Sequence, residues 1–155
     1  MKHILLKTIA VVLLVGCTMN QPQESAELPK PKTPDIPILD AVSEGNIDVV
    51  RMYLADGLDL NLKYEEWNST TLLHRAVAAD QEEIVKLLID KGADISAKDI
   101  NSNTPLSLTG IHGNVSVADL LVSAGAGLNY KGFGGWTPLH MAAFKGHINL
   151  VNYFV

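Results

Sequence analysis

Three segments of this chain, Thr71-Leu72-Leu73-His74, Thr104-Pro105-Leu106-Ser107 and Thr137-Pro138-Leu139-His140, recur 33 residues apart without a gap. A fixed period of this length constrains the fold more than any other feature. It marks a stack of similar units, each burying its apolar face only against its neighbours.

Each unit reads as a pair of short helices. The threonine that opens the frame can accept an orphan backbone N–H of a first helix, and proline in the next position has its φ already helical; Thr104-Pro105 and Thr137-Pro138 carry both signals. Thr71-Leu72 keeps the cap without the proline, and the first unit departs further with Ile36-Pro37-Ile38-Leu39. First helices are expected to end near Gly45-Asn46, Asp80-Gln81, Gly113-Asn114 and Gly146-His147, where the chain must reverse. Second helices follow, with one apolar stripe each: Val49, Val50 and Leu54; Ile84, Val85, Leu87 and Leu88; Val117, Leu120 and Leu121; Leu150, Val151 and Phe154. Gly57, Gly92 and Gly125 stop these helices in the position where left-handed geometry is cheap. Fingers then run over 60–70, 95–103 and 128–136, the first longer by two residues.

The Thr-Pro-Leu-His start, the Gly-His type of turn and Lys91-Gly92-Ala93-Asp94 resemble the ankyrin repeat throughout residues 36–155. The resemblance implies an all-α repeat, an ankyrin-repeat solenoid of helix-turn-helix units with β-turn fingers. The units are about 36–70, 71–103, 104–136 and an incomplete 137–155. Val155 aligns with Ile89 and Val122, 14 residues short of a full unit. A truncated product is expected, the alternatives being a partner over Leu150, Tyr153 and Phe154 or a frayed end.

The N-terminus reads as an address. Lys2 and Lys7 precede the apolar run Ile9 to Val15, and small Gly16 follows, which is the order of a secretory signal. The apolar stretch is too short to span a bilayer, which takes about 20 residues. Leu14-Val15-Gly16-Cys17 resembles the lipobox of bacterial lipoproteins, which implies a signal peptide over 1–16, cleavage before Cys17 and lipidation of its sulfur. Other readings of a lone thiol are a buried small hydrophobe, a reactive cysteine or part of an ordinary signal peptide. Residues 17–35, with Pro22, Pro29, Pro31 and Pro34 among polar residues, are expected to form a lipidated, Pro-rich tether or an unstructured leader with no spacing role. The expected location is the bacterial cell envelope, lipid-anchored in the membrane; Thr18 after the cysteine implies the outer membrane, facing the periplasm, in a Gram-negative cell.

Little in the chain points to chemistry. The formal charge is −5, and loss of Lys2 and Lys7 with the signal leaves 10 basic against 17 acidic residues, so nucleic acid is not an expected partner. His74 and His140 fill the fourth place of the repeat frame, where the family uses histidine to link neighbouring units; Ser107 fills the same place. No two histidines lie i, i+4 apart, no Gly-x-Ser-x-Gly elbow occurs, and Gly132-Phe133-Gly134-Gly135 lacks the lysine of a phosphate loop. No catalytic residue, metal site, cofactor or small-molecule substrate is therefore expected, and the chain is expected not to be an enzyme.

A binding surface is what remains. In the family, partners touch finger tips and the exposed positions of the first helices. Carried over, those slots give Trp67 and Asn68, with Glu65 and Glu66; Ile100, Asn101 and Asn103, with Ile111 and His112; and Phe133, Trp136, Phe144 and Lys145. Aromatic side chains there suit interaction hot spots, although Trp136, just before a repeat start, can equally pack on a neighbouring finger. The resemblance implies a non-catalytic module holding another protein; the alternative is an inhibitor or immunity-type protein blocking an exported enzyme or toxin.

Overall fold

A computed structural model describes residues 36–155. The leader, Cys17 and the tether expected over 1–35 lie outside the described residues. The described part forms eight helices in antiparallel pairs: α1 (Ile38–Glu44) with α2 (Ile47–Ala55), α3 (Leu72–Ala78) with α4 (Glu82–Asp90), α5 (Pro105–His112) with α6 (Val115–Ser123), and α7 (Pro138–Lys145) with α8 (Ile148–Phe154). First helices pack on first helices in the order α1, α3, α5, α7, and second helices in the order α2, α4, α6, α8. Among the described residues there is no strand, and no helix is long and apolar enough to cross a membrane.

The threonine caps expected at α5 and α7 are present, whereas at the start of α3 the Thr71 hydroxyl pairs with the His74 ring. Thr104 Oγ1 accepts the Ser107 N–H at 3.3 Å and Thr137 Oγ1 that of His140 at 3.5 Å. α1 starts after Pro37 without a side-chain cap, which matches the weak frame of the first unit. Asn46 and Asn114 cap α2 and α6 through their carboxamide oxygens, at 3.3 and 2.9 Å. The Asn of the turn therefore serves the helix that follows it.

One core runs through the stack. Val50, Ile84, Val85, Leu88, Val117, Leu121 and Leu150 of the second helices are fully or almost fully buried, and Val49, Leu54, Leu87, Leu120, Val151 and Phe154 pack on them half-buried. Leu72, Leu73 and Leu106 close it from the first helices. The closest approach is between α5 and α7: a Cβ on Gly110 would lie 2.5 Å from the Pro138 carbonyl oxygen and 2.9 Å from Met141 Cβ. Units 2 and 4 have Val77 and Ala143 at this place, so only glycine lets these two first helices meet so closely.

The two extra residues of the first finger are absorbed locally. Tyr64 N–H bonds to the Thr70 carbonyl at 2.9 Å and closes a 3-10 turn over Glu65–Trp67, while Asn68 and Ser69 take φ of 59° and 55°.

Candidate protein-binding surface

Backbone and side-chain hydrogen bonds in the fingers and turns tie each unit to the next. Asn68 O accepts the Ile100 N–H at 2.9 Å, and Asn61 Oδ1 accepts the Asp94 N–H at 2.8 Å. Gln81 Nε2 donates to Ser43 O at 3.0 Å, and His147 Nε2 lies 2.9 Å from Ile111 O.

Within the second unit a buried link is made at His74. Its ring is fully buried, with Nε2 3.1 Å from the Asn103 carbonyl oxygen. A carbonyl only accepts, so Nε2 carries the proton, and Nδ1 of the neutral ring accepts from Thr71 N–H at 3.3 Å and Thr71 Oγ1–H at 2.9 Å. Burial lowers the pKa of this histidine, against the opposing pull of the Asn103 hydrogen bond and the Asp99 charge. His140 repeats the inner half of the pattern, with Nδ1 2.7 Å from Thr137 Oγ1, but is exposed.

Asn103 continues the chain. It is only 5% exposed, not at an open finger tip as its slot suggested. Its N–H and Nδ2 donate to the Asp99 carboxylate at 2.8 and 3.2 Å, and its Oδ1 accepts the Phe133 N–H of the next finger at 3.1 Å. The reason is geometric: a residue just before the Thr-Pro start lies under the following finger, where an unpaired amide would be costly. Its side chain is committed to shape.

The other expected residues are exposed or half-exposed. Trp67, Ile100 and Phe133 hold the same place in successive units, 33 residues apart, and are 45%, 67% and 65% exposed. Trp67 is not free on both faces: the Arg75 guanidinium lies 4.4 Å from its ring centroid, and Arg75 Nε donates to Ser43 Oγ at 2.6 Å. Asn68 and Asn101 are exposed polar residues in the fingers, and His112 is exposed at the end of α5.

Phe133, Trp136, Phe144 and Lys145 converge with Ile111 on an open cavity of about 410 Å³, with Asn103 at its base. Trp136 and Phe144 meet edge to face, centroids 4.9 Å apart at 71°, which holds the half-buried indole against α7 while Phe144 stays 70% exposed. The indole therefore packs on the first helix of the following unit. Trp67, Asn68, Ile100, Asn101 and His112 lie outside this trough. Sequence reasoning missed Met141, a buried floor residue; its i, i+3, i+4 relation to Phe144 and Lys145 is the signal that would have found it. It also missed Gly134, which lines the cavity without a side chain.

The arrangement offers apolar surface and hydrogen-bonded loops. Among the described residues no group of three His, Cys, Asp or Glu side chains comes together as a metal site.

A family model described as ankyrin repeats (3 copies) matches residues 6–99 and 97–155. Human 2-5A-dependent ribonuclease is 36% identical over 80 residues, 52% of this chain but 11% of that protein. An ankyrin repeat-containing protein of Schizosaccharomyces pombe is 38% identical over 74 residues, 48% of this chain and 34% of that protein. NF-kappa-B inhibitor alpha of Gallus gallus is 34% identical over 70 residues, 45% of this chain and 21% of that protein. The chain thus spans about a third or less of these relatives. It belongs to the ankyrin-repeat family.

Proposed function

We propose that this ankyrin-repeat chain is a non-catalytic module that binds another protein through its finger tips and first helices, with the trough at Phe133, Trp136 and Phe144 as the main contact. The observation that carries the reading is the exposed apolar series Trp67, Ile100 and Phe133, one side chain per finger, which opens at its third member into a cavity of about 410 Å³. Large apolar side chains at the same exposed place in successive units contribute nothing to the core and match the composition of interaction hot spots. The decisive experiment captures cross-linked partners from cells making the full chain or its Phe133→Ala/Trp136→Ala/Phe144→Ala variant. A protein partner lost with the variant, at unchanged thermal unfolding, supports the reading; identical partner sets would overturn it.

Lipid attachment at Cys17 in a bacterial cell envelope belongs to the same proposal and rests on the order of Lys2, Lys7, the apolar run and Leu14-Val15-Gly16-Cys17. An alkyne-bearing fatty acid fed to cells should label the wild-type chain and not Cys17→Ser. Label on both would sink the assignment.

A second reading, that binding serves to block an enzyme or toxin, is favoured by the similarity to a protein named as an inhibitor, NF-kappa-B inhibitor alpha. Loss of the captured partner's own activity on adding the full chain would distinguish blocking from mere attachment.

A further inference from the structure

Charge is divided unevenly along the stack. Residues 36–103 hold 13 carboxylates against 6 basic side chains, whereas residues 104–155 hold only Asp119 against Lys131 and Lys145. That carboxylate is spoken for, since Tyr153 OH donates to Asp119 Oδ1 at 2.9 Å, and the two residues lie on the second helices. Apart from Asn103, whose amide groups hold the Asp99 carboxylate, the trough is lined by the part of the chain with almost no negative charge. Its single charged lining residue, Lys145, lies in the last turn of α7, one residue beyond Phe144.

The walls decide the size of what fits. Phe133 and Phe144 stand 65% and 70% exposed, Gly134 adds no side chain to the rim, and Ile111, Met141 and Trp136 supply the rest of the lining. A small molecule tends to be held in a site that covers 70–90% or more of its surface. An open trough flanked by two upright phenylalanines instead suits one large side chain presented by a backbone that stays outside.

We infer that the trough takes a protein segment with a large aliphatic or aromatic anchor residue and a carboxylate within about two or three positions of it, the anchor entering between Phe133 and Phe144 and the carboxylate meeting Lys145. The inference rests on the interaction reading above and adds the chemistry of the partner. Apolar burial supplies affinity, while the lysine sets polarity: as the one charged residue lining the trough, with the Asp99 carboxylate already bonded to Asn103, it attracts an acidic flank and disfavours a basic one. The carboxylate-rich units 1 and 2 reinforce this register, because an acidic flank is repelled from them and directed toward unit 4.

Random 12-residue peptides displayed on phage, selected against the full 155-residue chain in detergent micelles, supply the probe. Selected peptides should share an apolar anchor with a nearby Asp or Glu. Synthetic versions should lose tenfold or more in affinity for Phe144→Ala and about tenfold for Lys145→Glu, and replacing the peptide's acid by lysine should restore binding to Lys145→Glu. Both positions are exposed, and matching thermal unfolding of the variants excludes a folding defect. Peptides that need Phe144 but carry basic or uncharged flanks would overturn the acidic partner and leave the interaction surface standing. Absence of any selected peptide whose binding depends on Phe133 or Phe144 would overturn both.

Discussion

His74 shows how much one residue does in this stack. Its neutral ring joins Thr71 of its own unit to Asn103 at the end of the same unit, and Asn103 passes the connection to Phe133 in the next finger. Because burial lowers the folded-state pKa below the usual 6.5, the unfolded chain takes up this proton first as pH falls. The contribution is fully present above about pH 6.5 and is lost on acidification from there down through the folded pKa. Chemical unfolding at pH 7.5 and 5.5 should therefore show wild type losing more stability than His74→Ala does between the two values; equal losses would count against the buried neutral ring. Asn103→Ala should cost about 1–3 kcal/mol, since it strands the Phe133 N–H and part of the Asp99 carboxylate. It should also weaken partner binding at the trough, measured by titration with a trough-binding peptide, because Phe133 loses its fixed backbone anchor.

At the scale of elements, the second helices are where sequence and structure agree most closely. A stripe of period 3.6 must be buried, and the innermost members Ile84, Val85 and Leu88 are 0–1% exposed. Leu88→Ala should cost about 2–5 kcal/mol by urea unfolding, the usual range for a core cavity. The first helices hide a tighter constraint. Gly110→Val should cost at least about 1–3 kcal/mol because its side chain would push against the Pro138 carbonyl and Met141, although valine is the native residue at the same place in unit 2. The reciprocal change Val77→Gly opens space instead, so its loss comes from a cavity and from backbone entropy.

Across the whole described stack, the uneven charge has a thermodynamic effect as well as a binding one. Units 1 and 2 carry a net −7 in residues 36–103, and this self-repulsion is screened by salt. Raising the ionic strength from about 0.02 to 0.3 M should raise stability by roughly 0.5–1 kcal/mol, and the gain should shrink in a Glu65→Lys/Glu66→Lys variant. A gain unaffected by that double change would point to a general salt effect on apolar burial rather than to charge.

The 33-residue period, the Thr caps and the period-3.6 stripes determined the repeat, the helix pairs and the second-helix side of the core, because each of these is a local relation between residues a few positions or one unit apart; the small first-helix members Ala41, Val42, Ala76, Val77 and Ala142 were not read as core. The exposed series at Trp67, Ile100 and Phe133 came instead from the slots that the ankyrin-repeat resemblance carries over. Contacts between units were not legible. That Asn103 is buried, that Arg75 covers Trp67, that Trp136 leans on Phe144, and that Met141 floors the trough depend on how closely successive units stack. The stacking distance is set by side-chain volumes on two units at once, as Gly110 against Pro138 shows, and it is a property of the packed pair rather than of either segment.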